Sequence, residues 1–122
     1  MVNIMKFIAI RQHRSEFPNP ITFQKGTYLN IGEKYLGENN WDHWFFCTVE
    51  GQSGGWVPEQ IIDRVDENSG YALENYTAKE LEVNAGDELK VDQSLNGWMW
   101  CTRIQDGESG WVPENLLVQK LK

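Results

Sequence analysis

Long apolar runs are missing from this sequence. Its most hydrophobic stretch, "MVNIMKFIAIRQHR" at residues 1–14, carries Lys6 and breaks at Arg11, well short of the ~20 apolar residues that span a bilayer. No small-residue cleavage site follows it, so it does not read as an export signal, and a soluble cytoplasmic protein with no membrane partner is expected. Cysteine is scarce. Cys47 and Cys101 are the only two, too few for a disulfide scaffold, and no CxxC or Cys/His cluster suggests zinc. Positive charge is in deficit, with 11 Lys and Arg against 18 Asp and Glu and a net charge of −7. Such a chain repels a phosphate backbone, which argues against nucleic acid and favours a basic peptide or basic protein surface. Catalytic signatures are missing too: there is no G-x-S-x-G, no paired metal motif and no phosphate loop. No enzyme activity and no cofactor are expected.

What the chain does have is tryptophan, six in 122 residues, and a repeat. "GGWVPEQII" at 54–62 returns as "SGWVPENLL" at 109–117. The match extends upstream, where "WFFCTVEGQSGGWVPEQII" (44–62) aligns with "WMWCTRIQDGESGWVPENLL" (98–117) and "ITFQKGTYLNI" (21–31) with "LEVNAGDELKV" (81–91). Trp44 precedes Cys47 by three residues, as Trp98 precedes Cys101. Self-similarity at this many positions indicates two copies of one structural unit. We divide the chain at residues 1–65 and 66–122. The first half carries six basic and seven acidic residues, the second five and eleven, so the acidity falls on the second half. Units of about 60 residues bury only ~60% of the surface of their unfolded chains, and large aromatic residues help to build such small cores.

The local pattern is that of strands. "TYLNI" and "DELKV" alternate polar and apolar residues at period two. "WFFCTV" and "WMWCTR" are rich in residues that suit a pleated, half-buried surface. "KG", "AGD", "LNG" and "DGESG" mark turns. "KFIAI" (6–10) and "GYALENY" (70–76) read as the opening strand of each copy. After each repeated W-V-P the proline suits the start of a short helical turn. The polar stretch "DRVDENSG" (63–70) reads as a short linker. The expected fold is all-β: two small five-stranded barrels in tandem, each with one helical turn before its last strand.

These residues resemble the Src homology 3 family. In the second copy "ALENY" (72–76) is similar to the family's opening ALYDY motif and "LEV" with "AGDEL" (81–89) to its LSF-x-x-GD-x-L segment. "GWMWC" resembles its tryptophan strand, and "GWVPENLL" its closing G-Y-I-P-S-N-Y-V. In the first copy "AIRQH" (9–13) takes the place of the opening motif. The resemblance covers nearly the whole chain. It implies a non-catalytic, monomeric protein-binding module that holds an extended, proline-rich and basic segment of a partner on an aromatic shelf. A polyproline II segment loses little entropy on docking, and an indole N–H can donate to its unpaired carbonyls.

Carried over position by position, the resemblance places Tyr76, Trp98 and Pro113 on the shelf of the second copy, with Trp100 extending it and Leu116 in place of the last shelf tyrosine. In the first copy it places Trp44 and Pro58, with Arg11, His13 and Ile61 standing for the three tyrosines. Trp44 and Trp98 are expected to be partly exposed, Trp56 and Trp111 to pack on the barrel. Trp41 lies in a long loop (32–43) and could cap a shelf. Cys47 and Cys101 are expected to be small buried hydrophobes, and His13 and His43 exposed loop residues. Glu80, Glu82, Asp87 and Glu88 could steer a basic ligand. Two other functions compete: a scaffold whose shelves form an inter-domain interface, and a cell-wall-binding module.

Overall fold

Period-two alternation carries through into strands that bury one side chain in two, so that Leu29 and Ile31 point inward from a strand whose other residues are exposed. A computed structural model describes residues 6–37 and 41–120. Residues 38–40 of the long loop, the first five residues of the opening apolar run and the last two of the chain lie outside the described residues. The chain forms β1 (Lys6–Ala9), β2 (Thr22–Phe23), β3 (Tyr28–Lys34), β4 (Trp44–Thr48) and β5 (Gly55–Pro58). A 3-10 turn (Glu59–Ile61) then leads into β6 (Ile62–Asp66), β7 (Ser69–Ala72) and β8 (Tyr76–Thr77). β9 (Glu88–Leu95), β10 (Trp98–Arg103) and β11 (Ser109–Pro113) follow, and a second 3-10 turn (Glu114–Leu116) precedes β12 (Leu117–Gln119). Each short helical turn starts directly after the repeated proline, as expected. Among the described residues no helix is long and apolar enough to cross a membrane.

Two five-stranded antiparallel sheets account for most strands, with orders β11-β10-β9-β1-β12 and β5-β4-β3-β7-β6, and β2 pairs with β8. The fold class is the expected one, two small Src-homology-3-like units. The compact units, however, cut the chain elsewhere than at 65/66. Met1–Glu16 and Glu80–Lys122 form unit 1, and Phe17–Lys79 forms unit 2. The opening strand of the first repeat, β1, lies between β9 and β12 of the second. The opening strand of the second repeat, β7, lies between β3 and β6 of the first. The repeats have exchanged their first strands. The chain leaves unit 1 after Glu16, builds the whole of unit 2, and re-enters unit 1 at Glu80.

The exchange is equivalent on both sides. In unit 1 Gly86 donates its amide to Ala9 O (2.7 Å), Ala9 donates to Asp87 O (3.0 Å), and Ile10 donates to Leu116 O (2.8 Å). In unit 2 Gly26 donates to Ala72 O (2.8 Å), Ala72 to Thr27 O (2.9 Å), and Leu73 to Ile61 O (2.8 Å). Gly26 and Gly86 take φ of +90° and +95°, a region that a side chain disfavours. The two cores also correspond. Unit 1 packs Ala9, Leu81, Val83, Leu89, Cys101, Val112 and Leu116, and unit 2 packs Ala72, Ile21, Phe23, Leu29, Cys47, Val57 and Ile61.

The stretch 63–70 is therefore not a linker. It is the β6–β7 hairpin, closed by an Asx-type turn in which Asp66 Oδ1 accepts from the Asn68 amide (2.8 Å) and from Ser69 Oγ (2.9 Å). Hydrogen bonding from Asn68 and then Ser69 holds the Asp66 carboxyl below its usual range. The charge divides by unit as well. Unit 2 contains nine acidic and four basic residues, net −5, and unit 1 nine and seven, net −2.

Candidate functional site

In unit 1, β10 turns Met99 and Cys101 inward, so Trp98 and Trp100 share the opposite side of the strand. Trp98 stands opposite Pro113 on β11, and Trp100 opposite Trp111 with ring centroids 5.3 Å apart at 77°. The exchanged segment supplies the remaining wall. His13 pairs with Val83 through two backbone hydrogen bonds, 2.9 and 3.1 Å. Its ring meets Trp98 edge-on at 5.8 Å and 76°, and its Nε2 lies 2.7 Å from Glu80 Oε1. The His13 and Glu80 side chains are only 14% and 13% exposed. Trp98 is half-buried, while Pro113 and Leu116 are buried.

The strand exchange regroups the predicted shelf residues. Trp98, Trp100 and Pro113 come together as expected, but Tyr76 does not join them, because it follows β7 into unit 2. His13, expected with Trp44 and Pro58, takes that place beside Trp98. It is not an exposed loop histidine. Leu116 belongs to the core of unit 1, at 9% exposure, rather than to its surface.

In unit 2 Tyr76 packs against Phe23 (5.6 Å) and donates its hydroxyl to Trp56 O (2.9 Å). Trp44 was expected to be partly open, but it is 6% exposed, and its strand partner Pro58 is fully buried. That shelf is closed. His43 is an exposed loop residue, as expected, and its Nδ1 lies 2.8 Å from Glu59 Oε1.

The acidic residues expected to steer a ligand have partners in unit 1. Glu80 holds His13, Glu82 Oε2 accepts from the Ser15 amide (3.1 Å), Asp87 Oδ2 accepts from the Asn84 amide (2.8 Å), and Glu88 pairs with Lys120 (3.1 Å). Arg14 donates to Val83 O (2.8 Å) and Asn84 Oδ1 (2.6 Å), and Arg103 donates to Glu82 O, Asp106 and Glu108. The bonds of His13, Arg14 and Ser15 tie 13–15 to 82–84. Burial pushes the Cys47 and Cys101 thiols up to about 11 and about 12, which leaves both protonated and unsuited to nucleophilic or metal chemistry. No group of three or more His, Cys, Asp or Glu among the described residues could hold a metal ion.

One aromatic group was missed. In unit 2 Trp56 meets Phe46 at 5.3 Å and 83°, the counterpart of Trp100 and Trp111, but also Tyr35 at 5.3 Å and 87°. Tyr35 in turn meets Trp41 at 5.8 Å. Phe46, Trp56, Tyr35 and Trp41 are all half-buried. A register shift in the β3–β4 pairing between Ile31 and Lys34 precedes Tyr35, whose amide donates to Trp44 O (2.8 Å). Period two alone cannot show such a shift. The loop length was the available signal: Gly26 to Trp44 is eighteen residues, against twelve from Gly86 to Trp98.

No curated protein and no solved structure matches the chain. The family model for the variant SH3 domain matches residues 6–63 and again 70–119. Each match follows one repeat and so runs through the point where the strands exchange. With nearly the whole length matched, the chain belongs to the variant SH3 domain family, as two tandem copies.

Proposed function

We propose that this protein is a non-catalytic interaction module in which unit 1 holds an extended, proline-containing segment of another protein on the Trp98 surface. Domains of this family are in general protein-interaction modules and typically non-catalytic. The observation that supports the finer reading is the edge-on placement of His13 against the half-buried Trp98 ring. It fixes the indole beside Pro113 and Trp100 without covering it completely. A rigid ring gives large apolar contact for few rotatable bonds, and its N–H can donate to a prolyl carbonyl. Burial of Trp44, where Trp98 is half-buried, favours a packing role for Trp44 in unit 2. The reading is thus of one peptide surface of this type, not two.

A titration with proline-rich peptides, followed through the indole N–H signals of the full chain, tests this. The Trp98 signal moves and the Trp44 signal stays still. A Trp98 signal that is unmoved at millimolar peptide rules the reading out.

A further inference from the structure

Two of the four tyrosines are committed to packing. Tyr35 lies half-buried against Trp41 and Trp56. Tyr76 lies half-buried against Phe23, with its hydroxyl donated to Trp56 O. The other two, Tyr28 and Tyr71, are 50% and 46% exposed, and they are each other's neighbours. Tyr28 on β3 stands directly opposite Tyr71 on β7, and the rings meet edge-on with centroids 5.6 Å apart at 67°. Residues opposed in this way share one face of a sheet. The next residues along, Leu29 and Ala72, turn inward to the core of unit 2, so both phenols are held on its outer face. The same register positions in unit 1 are taken by Glu88 and Ile8. Only unit 2 carries the pair.

Phenols lose one electron and one proton together to give a phenoxyl radical, whose spin reaches the Cε carbons beside the oxygen. Two such radicals on adjacent exposed rings combine Cε to Cε. Exposed side chains reorient in picoseconds to nanoseconds, and strand pairing replaces a bimolecular encounter by a local one. After coupling, each Cε proton moves to its own ring oxygen and restores the aromatic ring. The net change breaks two Cε–H bonds, forms one Cε–Cε bond and leaves both hydroxyls in place. With hydrogen peroxide as terminal oxidant, the two electrons and two protons convert one peroxide to two waters.

We propose that Tyr28 and Tyr71 form an oxidative modification site, at which a peroxide-driven one-electron oxidant of the haem peroxidase class joins the two rings as dityrosine. The new bond ties the opening strand of the second repeat to the first repeat. It closes a long loop of the unfolded chain, from 28 to 71, and so restricts the unfolded state as a disulfide does. Being a carbon–carbon bond, it is not undone by thiols. Cys47 and Cys101, buried in separate cores, offer no such link. The inference does not depend on peptide binding at Trp98.

The experiment treats the dilute full chain with hydrogen peroxide and a catalytic amount of a haem peroxidase. The expected product is a monomer lighter by two hydrogen atoms, with dityrosine fluorescence and with Tyr28 joined to Tyr71 in tandem mass spectra of its digest. Tyr28→Phe and Tyr71→Phe, which keep the ring pair but remove one phenol, each abolish the intramolecular product, and Tyr35→Phe leaves its yield unchanged. The crosslinked monomer melts about 5 °C or more above a Tyr28→Phe chain treated in the same way. The proposal is overturned if dityrosine forms only between molecules, if the intramolecular product persists in Tyr28→Phe or Tyr71→Phe, if oxidation falls on tryptophan and leaves both tyrosines intact, or if the crosslinked chain melts no higher than that control.

Discussion

Gly86 donates its backbone amide to the carbonyl of Ala9, 2.7 Å away, although the whole of unit 2 separates the two in the chain. The equivalent bond joins Gly26 to Ala72 at 2.8 Å. Two repeats that kept their own first strands would pair Gly26 with Ala9. Unit 2 is thus a continuous segment with the strand order of a circular permutant. We predict that residues 17–79 expressed alone give dispersed amide signals and a cooperative thermal transition. A fragment that remains a random coil contradicts the exchange.

Tyr28 and Tyr71 offer a covalent test. They face each other across β3 and β7, both about half exposed, with ring centroids 5.6 Å apart. Directly opposed strand positions are close enough for a disulfide. The Tyr28→Cys, Tyr71→Cys double variant is expected to form an intramolecular crosslink under mild oxidation, seen by mass spectrometry on the monomer. If these cysteines react only between molecules, β7 does not sit beside β3.

The His13–Glu80 contact is expected to contribute to stability beyond the ring packing. His13→Ala removes the partner of a carboxylate that is 13% exposed, and the cost is about 1–3 kcal/mol in denaturant unfolding. Glu80→Gln keeps an acceptor for His13 and costs less. A double-mutant cycle separates the pair from the rest, and a coupling near zero shows that the contact contributes nothing.

Gly110 lies where a Cβ would come within 2.6 Å of Leu81 N. Gly110→Ala therefore forces β11 away from the 80–81 segment and is expected to cost about 1–3 kcal/mol. Gly107→Ala, at a φ of +77° with open space around it, meets only backbone strain. Equal melting temperatures for Gly110→Ala and the parent protein refute the close approach.

Raised thiol pKa values make stability depend on pH in one direction. In the folded state Cys47 and Cys101 hold their protons to about 11 and about 12, whereas an unfolded thiol releases its proton near ~8.5. Between those limits the folded state binds more protons. The stabilisation is complete below the unfolded value and is lost as pH rises through the folded ones. Thermal melts are expected to decline above about pH 9, and a Cys47→Ala, Cys101→Ala chain declines less. Native protein reacts with a thiol reagent at pH 8 only as fast as it opens; immediate labelling of both cysteines overturns the assignment.

Much of the fold was legible in the sequence. The repeated Trp–Cys and Trp–Val–Pro spacings gave the number of units, and alternation at 27–31 and 87–91 gave the core strands. The exchange was not legible, because "KFIAI" and "GYALENY" satisfy the same pattern and Ala9 and Ala72 fill equivalent holes. Only the pairing decides between them, and a stretch such as "DRVDENSG" suits a linker and a hairpin turn equally well. The same ambiguity set Tyr76 beside Trp98 and sent His13 to the other unit. Closure of the Trp44 shelf and the turning of Tyr35 toward Trp56 depend on packing and on a register shift, neither of which has a residue signature.

Antiparallel pairing of β1 with β12 also sets a mechanical order. The first and last described strands lie side by side, and the Lys120 amide donates to Lys6 O at their outer end (2.8 Å). Tension applied between Lys6 and Lys120 acts on that bond first and then unzips the pair one bond at a time, so unit 1 yields at low force. Unit 2 joins the stretched path only afterwards, through Phe17 and Lys79. It too begins to part at an antiparallel pair, Thr22 with Thr77.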